Sequence, residues 1–492
     1  MLLNFSAYHR IFNEIMIVIR KFHFEILLNI QLLTILYFYI QLSLPNIPFQ
    51  VPLFLNFPWG KNQIADKNDL WIIFIVALFL LILNSFFSVR ESLKANYPIS
   101  RIYLFLSLFI NSLLCFYTYS IIDSVAYKSL VLPDYIKIIL IPTNLAFWAT
   151  VLSAPFVIKI AKEFRFMDDP LSHKHPGMLL TKPVPRAGGL AYILGILIPG
   201  IFILPISTSQ KILGILSSAI ICVAIGLKDD RKDVSPYIRL FTQLGVAAIT
   251  ALSGITLIYI SNPFGEAIKL DYLKYTFEFF GPHSIYYLAV GAAMIWIITT
   301  MNFMSWSNGT DGVFAGLVFI SSLVISILMF DNLTVDPESI PFVKLAALSA
   351  GAGLGMAFFT WPPQKILWGF GATSAGLIIA ALSIMGSTKV ATTMLVLMIP
   401  FLDGIFAIIR RLSRGQLPFW GDREHFHHKL LEGWGWSKKQ IALFYWTTGI
   451  ILGTVGILTS KQLKILSLIS VAIVVGILIA FANIRWSKKR NQ

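Results

Sequence analysis

Four short stretches of the chain gather most of the side chains able to do polar chemistry. In "GLKDDRKDVSP" (226–236), Asp229 and Asp230 stand together where an apolar run stops, ringed by Lys228, Arg231 and Lys232. Adjacent side chains on a helix diverge by about 100°. The two carboxylates are therefore expected to act separately, one as a base or orienting group, the other toward Mg2+ or a cation. In "MNFMSWSNGTDGVFAGL" (301–317), Asn302, Ser305, Asn308 and Asp311 recur every third residue. Such an array at a helix end can present oxygens to a metal or a nucleotide, and Gly309 and Gly312 let backbone approach closely.

The other two stretches are rich in cations. "MDDPLSHKHPGMLLTKPVPRAGGLAY" (167–192) sets Lys182 and Arg186 before the diglycine Gly188–Gly189, where a helix should begin. Its prolines forbid one continuous helix. Cations beside a helix N-terminus suit a phosphate, although an ordinary basic juxtamembrane loop would look the same. "PFLDGIFAIIRRLSRGQLPFWGDREHFHHKLLEGWGWSKKQ" (400–440) places Asp403 one to two turns before Arg410 and Arg411, followed by Arg414, Asp422, Arg423, His425, His427 and His428. An aspartate inside an apolar helix is costly and marks a functional position by default. H-x-H-H hints at zinc but lacks the further Cys or His of a closed tetrahedral site. Donors gripping a diphosphate fit better among so many cations. Together the four clusters call for an anionic, metal-dependent substrate, a nucleotide diphosphate or a lipid phosphate.

Membrane helices must carry these clusters. The chain has 492 residues, 57% hydrophobic and only 13% charged, too few charges to cover a soluble core of that size. Apolar runs of roughly 18–25 residues match a ~30 Å hydrocarbon core, and spanning segments outside closed barrels must be helical. The expected fold class is all-α: a polytopic bundle of about fourteen transmembrane helices. Spans are expected near 24–46, 70–87, 102–126, 138–159, 188–204, 212–227, 240–259, 284–302, 312–330, 345–360, 366–385, 390–409, 441–459 and 465–483. Three fall in an accessory segment, 1–130, without a polar cluster. Eleven fall in 131–492. Residues 1–23 read as an amphipathic surface helix.

With the N-terminus inside, roughly 27 of the 39 Lys and Arg lie on the inner side, which the positive-inside rule favours. All four clusters then share the cytoplasmic face. A transporter would hold ionisable groups near the midplane, and the hydropathy pattern shows almost none there. The net charge of +15 is read as inner loops facing anionic headgroups rather than nucleic acid. Cys115 and Cys222 lie in apolar spans, which argues against a disulfide framework.

The motif order resembles the polyprenyl-phosphate N-acetylhexosamine-1-phosphate transferases of glycosyltransferase family 4. It runs DDP…KPVPRAGG, GLKDD…R…Q, N-x-x-S-x-x-NG-x-DG, then PFLD…RR…D-R-x-H-x-H-H-K-L-L, and covers about 136–492. KPVPRAGG and H-x-H-H resemble the undecaprenyl-phosphate N-acetylglucosaminyl branch, which starts polymers such as lipopolysaccharide O-antigen or teichoic acid. The resemblance implies a multi-pass enzyme of the bacterial cytoplasmic membrane with its active site inside. It implies transfer of N-acetylhexosamine 1-phosphate from a UDP-N-acetylhexosamine to polyprenyl phosphate, releasing UMP, with Mg2+ or Mn2+. Membrane lipid is then a partner, and a homodimer is an allowed assembly.

By position, the resemblance implies that Asp229 and Asp230 are the aspartate pair, with Asp229 orienting or deprotonating the lipid phosphate. Asp311 would bind Mg2+, with Asp230 a second candidate ligand. Asn302 and Asn308 would line the nucleotide pocket, and Lys182 and Arg186 would be first-loop cations. Asp403, Arg410, His425, His427 and His428 would contact the donor's sugar and diphosphate. Four positions depart from the pattern: Phe370 for an aspartate in "WPPQKILWGFGATSAG", Asn308 for an acid, Ser305 for an asparagine and Arg239 for a lysine. The lost acids keep a second reading open, a non-catalytic homologue that binds lipid phosphate or scaffolds glycan assembly.

Overall fold

Apolar runs long enough to bury or bathe every side chain in lipid fold as helices, and helices dominate the computed structural model of the chain. It describes residues 25–26, 28–53, 64–94, 97–127, 134–170, 182–206, 209–232, 234–260, 262, 265–278, 282–385, 389–416 and 424–490. The expected surface helix over 1–23, the loop 171–181, and Asp422 and Arg423 lie outside the described residues. Two compact units divide the chain at Pro133/Asp134.

The first unit holds α1 (Leu28–Asn46), α2 (Leu70–Leu93) and α3 (Tyr97–Val125). Between α1 and α2, β1 (Gln50–Pro52) pairs antiparallel with β2 (Ile64–Asp66). Leu36, Ile40, Val51, Leu70, Ile121 and Ile122 form its apolar centre. Glu25 pairs with Arg101, and Asn111 donates to Asn29 Oδ1 at 3.2 Å.

The second unit begins with α4 (Ile141–Glu163), α5 (Gly188–Ile203), α6 (Gln210–Arg231), α7 (Pro236–Leu252) and α8 (Tyr287–Trp306). It continues with α9 (Val313–Asp331), α10 (Ile340–Thr360), α11 (Ala372–Ile384), α12 (Lys389–Val396) and α13 (Met398–Ser413). It ends with α14 (Phe426–Trp434), α15 (Lys438–Leu458) and α16 (Lys461–Arg490). Three antiparallel strand pairs decorate the connections: β3 (Met167–Asp168) with β4 (Val184–Pro185), β5 (Tyr259–Ile260) with β6 (Ile268–Lys269), and β7 (Lys274–Glu278) with β8 (Pro282–Tyr286). In the spans containing α9 and α10, 78% of the apolar window is buried, against 17% in α16. The first two are therefore central, and α16 turns most of its surface outward. Small residues let α10 approach α4 closely. A Cβ on Gly351 would meet the Thr143 carbonyl oxygen at 1.9 Å, and one on Gly355 the Phe147 carbonyl oxygen at 2.8 Å.

The all-α membrane bundle is as expected, but the count of fourteen crossings is not. Among the described residues, ten helices are long and apolar enough to cross a membrane. The span expected at 390–409 is a broken pair, α12 and α13, bent by 82° at Leu397. The other three expected spans are short helices: α5 with 16 residues, α7 with 17 and α11 with 13. At 1.5 Å per residue each covers roughly 20–25 Å, short of a ~30 Å core. Hydropathy windows register apolar residues but not where the helix stops. Gly254, at φ +99°, ends the turn after α7 and splits the run 240–259, while α11 starts only after an irregular loop at 361–371.

Candidate active site

The aspartate pair closes α6. That helix opens at Ser209, whose hydroxyl accepts from the Ile212 N–H at 3.4 Å, and ends with Lys228 and Arg231. Cations in a last turn complement the helix dipole. Asp229 and Asp230 are only 1% and 6% exposed, and they face different partners. Asp229 Oδ1 accepts from the Val234 N–H at 3.0 Å and from Arg239 Nε and Nη2 at 2.8 and 2.7 Å. Arg239 lies in the first turn of α7, which is set by the Ser235 cap and Pro236. Asp230 Oδ1 accepts from the Phe370 N–H at 3.2 Å and from Arg186 Nε at 3.0 Å. Arg186 Nη2 stands 3.7 Å from Asp229 Oδ2, so one guanidinium spans both carboxylates.

The loop 361–371 is the hub. Its Leu367 N–H donates to the Pro185 carbonyl at 2.8 Å. Its carbonyls at Leu367 and Trp368 take the N–H groups of Gly188 and Gly189 at 2.8 and 3.1 Å. The start of α5, expected to seat a phosphate, has thus spent its first two donors on this loop. The diglycine serves close packing instead: a Cβ on Gly189 would sit 2.6 Å from Gly371 Cα. At the loop's other end, the Gln364 N–H donates to Asp311 Oδ2 at 3.2 Å. The stretch 364–370 therefore holds both Asp311 and Asp230.

The third cluster straddles a helix break. After α8 comes one tight turn, Ser307–Gly309, and then Gly312 at φ +80° leads into α9. That left-handed backbone suits glycine. Asn302 and Gln243 exchange two amide hydrogen bonds, Nδ2 to Oε1 at 2.9 Å and Nε2 to Oδ1 at 3.1 Å, which joins α8 to α7. Asp311 is buried, and its Oδ1 accepts from Lys438 Nζ at 2.8 Å. Lys438 is the first residue of α15, just inside a capping box made by Ser437 and Gln440. Asn308 is half-buried in the turn, and Lys182 is exposed just before β4.

The fourth cluster is organised by Asp403. Its Oδ1 accepts from the Phe426 N–H at 2.9 Å, satisfying a donor at the start of α14, and its Oδ2 lies 2.8 Å from His425 Nδ1. The buried Arg411 brings Nη2 to 3.5 Å from His425 Nε2 and lays its guanidinium over Trp306 at 5.0 Å. Arg410, expected on the donor, pairs with Glu424 at 3.1 Å, as does Arg414 at 2.8 Å. His427 is 1% exposed, and among the described residues neither ring nitrogen has a hydrogen-bond partner. Its Nε2 is aimed at Gly309, where an added Cβ would approach to 2.4 Å. The His425 ring is parallel to it at 5.8 Å and the His428 ring lies at 4.3 Å. Burial, then the neighbouring His428, His425 and Lys429, hold the His427 pKa well below 6.5, which favours the neutral ring. Contacts through Arg186, Gln243, Gly309 and Trp306 thus tie all four clusters together.

Comparison with known proteins points the same way. Residues 212–387 match the model of the family described as glycosyl transferase family 4. A relative named probable undecaprenyl-phosphate N-acetylglucosaminyl 1-phosphate transferase, from Bacillus subtilis (strain 168), is 28% identical over 338 residues, 67% of this chain and 86% of its own. Over that stretch the chain resembles glycosyl transferase family 4. An undecaprenyl-phosphate alpha-N-acetylglucosaminyl 1-phosphate transferase of Escherichia coli (strain K12) is 27% identical over 324 residues, 63% of this chain and 81% of its own. A decaprenyl-phosphate N-acetylglucosaminephosphotransferase of Mycobacterium leprae (strain TN) is 28% identical over 300 residues, 55% and 72%.

Two features of the site were not visible in the sequence motifs. Lys438 and Arg411 both reach the site, yet no sequence motif marks Lys438, and Arg411 is indistinguishable there from Arg410. Phe370, which stands where an acid was expected, contributes through its N–H to Asp230 and through its ring, which lies 5.6 Å from the Arg239 guanidinium. Among the described residues no three His, Cys, Asp or Glu gather into a metal cage. Magnesium asks for less, one or two carboxylates with water and phosphate oxygens completing its shell. Asp311 and Asp230, each held by a backbone N–H of one loop, are hard-oxygen donors of the kind magnesium takes.

Proposed function

We propose that the chain transfers N-acetylhexosamine 1-phosphate, preferentially N-acetylglucosamine 1-phosphate, from a UDP-sugar to polyprenyl phosphate. The reaction releases UMP at the cytoplasmic face of a bacterial inner membrane and begins an envelope glycan. An oxygen of the lipid phosphate attacks the sugar-bearing phosphorus of the donor, and the bond from that phosphorus to the bridging oxygen breaks. The observation that carries this reading is the anchoring of Asp230 and Asp311 to one backbone stretch, 364–370.

Phosphoryl transfer needs placement and charge neutralisation more than covalent help. Arg186 and Arg239 hold the aspartate pair rigid, and Asp229, already accepting from Arg239 and Val234, orients rather than deprotonates. The acceptor phosphate is an anion at neutral pH and asks for little base. Neutral His427, with both ring nitrogens unpartnered, and Arg411 offer donors to the diphosphate. Exposed Tyr237, Ile238 and Phe241 flank Arg239 on α7 and offer apolar surface to the acceptor's hydrocarbon chain. Bound at Asp311 and Asp230, Mg2+ or Mn2+ would supply the positive charge that stabilises the leaving diphosphate oxygen.

Purified protein given labelled UDP-N-acetylglucosamine and polyprenyl phosphate should yield UMP and a labelled lipid, and Asp311→Ala should abolish both. The ion pair of Asp311 with Lys438, together with Phe370, favours the second reading, a non-catalytic lipid-phosphate binder. A folded protein that binds polyprenyl phosphate but turns over no UDP-sugar would establish it instead.

A further inference from the structure

We propose that Lys438 is a tethered cation that competes with a divalent ion for Asp311. The inference rests on reading Asp311 as a divalent-ion ligand. The Asp311 side chain is 4% exposed, and a carboxylate that deep is costly without a counter-charge. Lys438 Nζ supplies the charge at 2.8 Å from Oδ1, while Oδ2 is committed to the Gln364 N–H at 3.2 Å. Oδ1 is therefore the atom that an incoming ion and the ammonium would contest.

The backbone around Lys438 is well fixed, so the exchange belongs to its side chain. The capping box at Ser437 and Gln440 sets the start of α15. Two turns on, Trp446 Nε1 donates to the Gly312 carbonyl at 3.0 Å, pinning the helix beside Asp311. The lysine side chain is 28% exposed, a flexible stem with three rotatable donors. It can swing from Asp311 toward solvent or a phosphate oxygen without moving α15. Lys438 thus keeps the carboxylate neutralised while no divalent ion is bound, and yields its place when one arrives with the donor.

The test is Mn2+ binding to the full-length protein in detergent without substrate, read by electron paramagnetic resonance of the free ion. Lys438→Gln should tighten binding about tenfold, the factor expected when a charge-assisted hydrogen bond no longer competes. Lys438→Arg should stay near the parent. Lys439→Gln removes the same charge from the exposed neighbour and should change little. Unchanged or weaker binding in Lys438→Gln, with Asp311→Asn still abolishing the site, overturns the competition but spares the Asp311 reading. Unchanged binding in Asp311→Asn overturns both. If Lys438→Gln does not fold, the parent protein still decides. Acetic anhydride labelling of Lys438, mapped by peptide mass spectrometry, should rise severalfold with saturating Mn2+, and constant labelling overturns the proposal.

Discussion

Arg186 is the side chain on which the aspartate pair depends most. Its Nε lies 3.0 Å from Asp230 Oδ1 and its Nη2 3.7 Å from Asp229 Oδ2, with both carboxylates almost wholly buried. Arg186→Gln leaves two adjacent buried acids with Arg239 on Asp229 alone. Removing one partner of a buried ion pair costs about 3–5 kcal/mol. Arg186 is itself 20% exposed and Asp229 keeps Arg239, so the lower end, about 3 kcal/mol, is the expected loss. Arg186→Lys should recover only part of it, because one ammonium cannot span two carboxylates as a guanidinium fork does. Denaturant unfolding in detergent measures the stability. Hydrogen exchange over 364–371 reports whether the loop loosens once Asp230 loses its partner. Lipid-product formation should fall at least about a hundredfold, equivalent to ~2.7 kcal/mol of barrier. An Arg186→Gln protein that unfolds at the parent's denaturant concentration and turns over within about twofold of it would refute the reasoning.

Three further outcomes follow from the geometry. Asp403→Ala removes the acceptor of both the Phe426 N–H and His425 Nδ1, and should cost about 2–3 kcal/mol, with faster hydrogen exchange at the start of α14. Gly189→Ala would put a methyl 2.6 Å from Gly371 Cα, a backbone atom that cannot step aside; overpacking of about 1–3 kcal/mol should appear in unfolding, with a parallel loss of activity. His427 titrates below its unfolded value of 6.5, so the unfolded chain binds the proton first. Its contribution to stability is fully present above that pH and declines as pH falls below it, by at most about 1.4 kcal/mol per pH unit. Melting curves from pH 7.5 down to 5 should lose this slope in His427→Phe.

Much of this protein was legible along the chain because its signals are local. Apolar runs at membrane length announce helices, and Gly309 and Gly312 announce a close approach of backbone. The four polar clusters sit in short windows, and their order carries the family resemblance. Helix ends were less legible: α5, α7 and α11 fall short of full spans, and α12 breaks from α13, because a window average does not feel the loop or turn that interrupts it. Partner choice was not legible at all. Asp311 meets Lys438 across 127 residues, and Asp230 meets the Phe370 N–H across 140. Nothing local distinguishes Arg411, buried on Trp306, from Arg410, paired with Glu424. Composition and periodicity report what each segment can do by itself. Which charges neutralise one another is decided by burial, since only packing removes the water that would otherwise solvate each one separately.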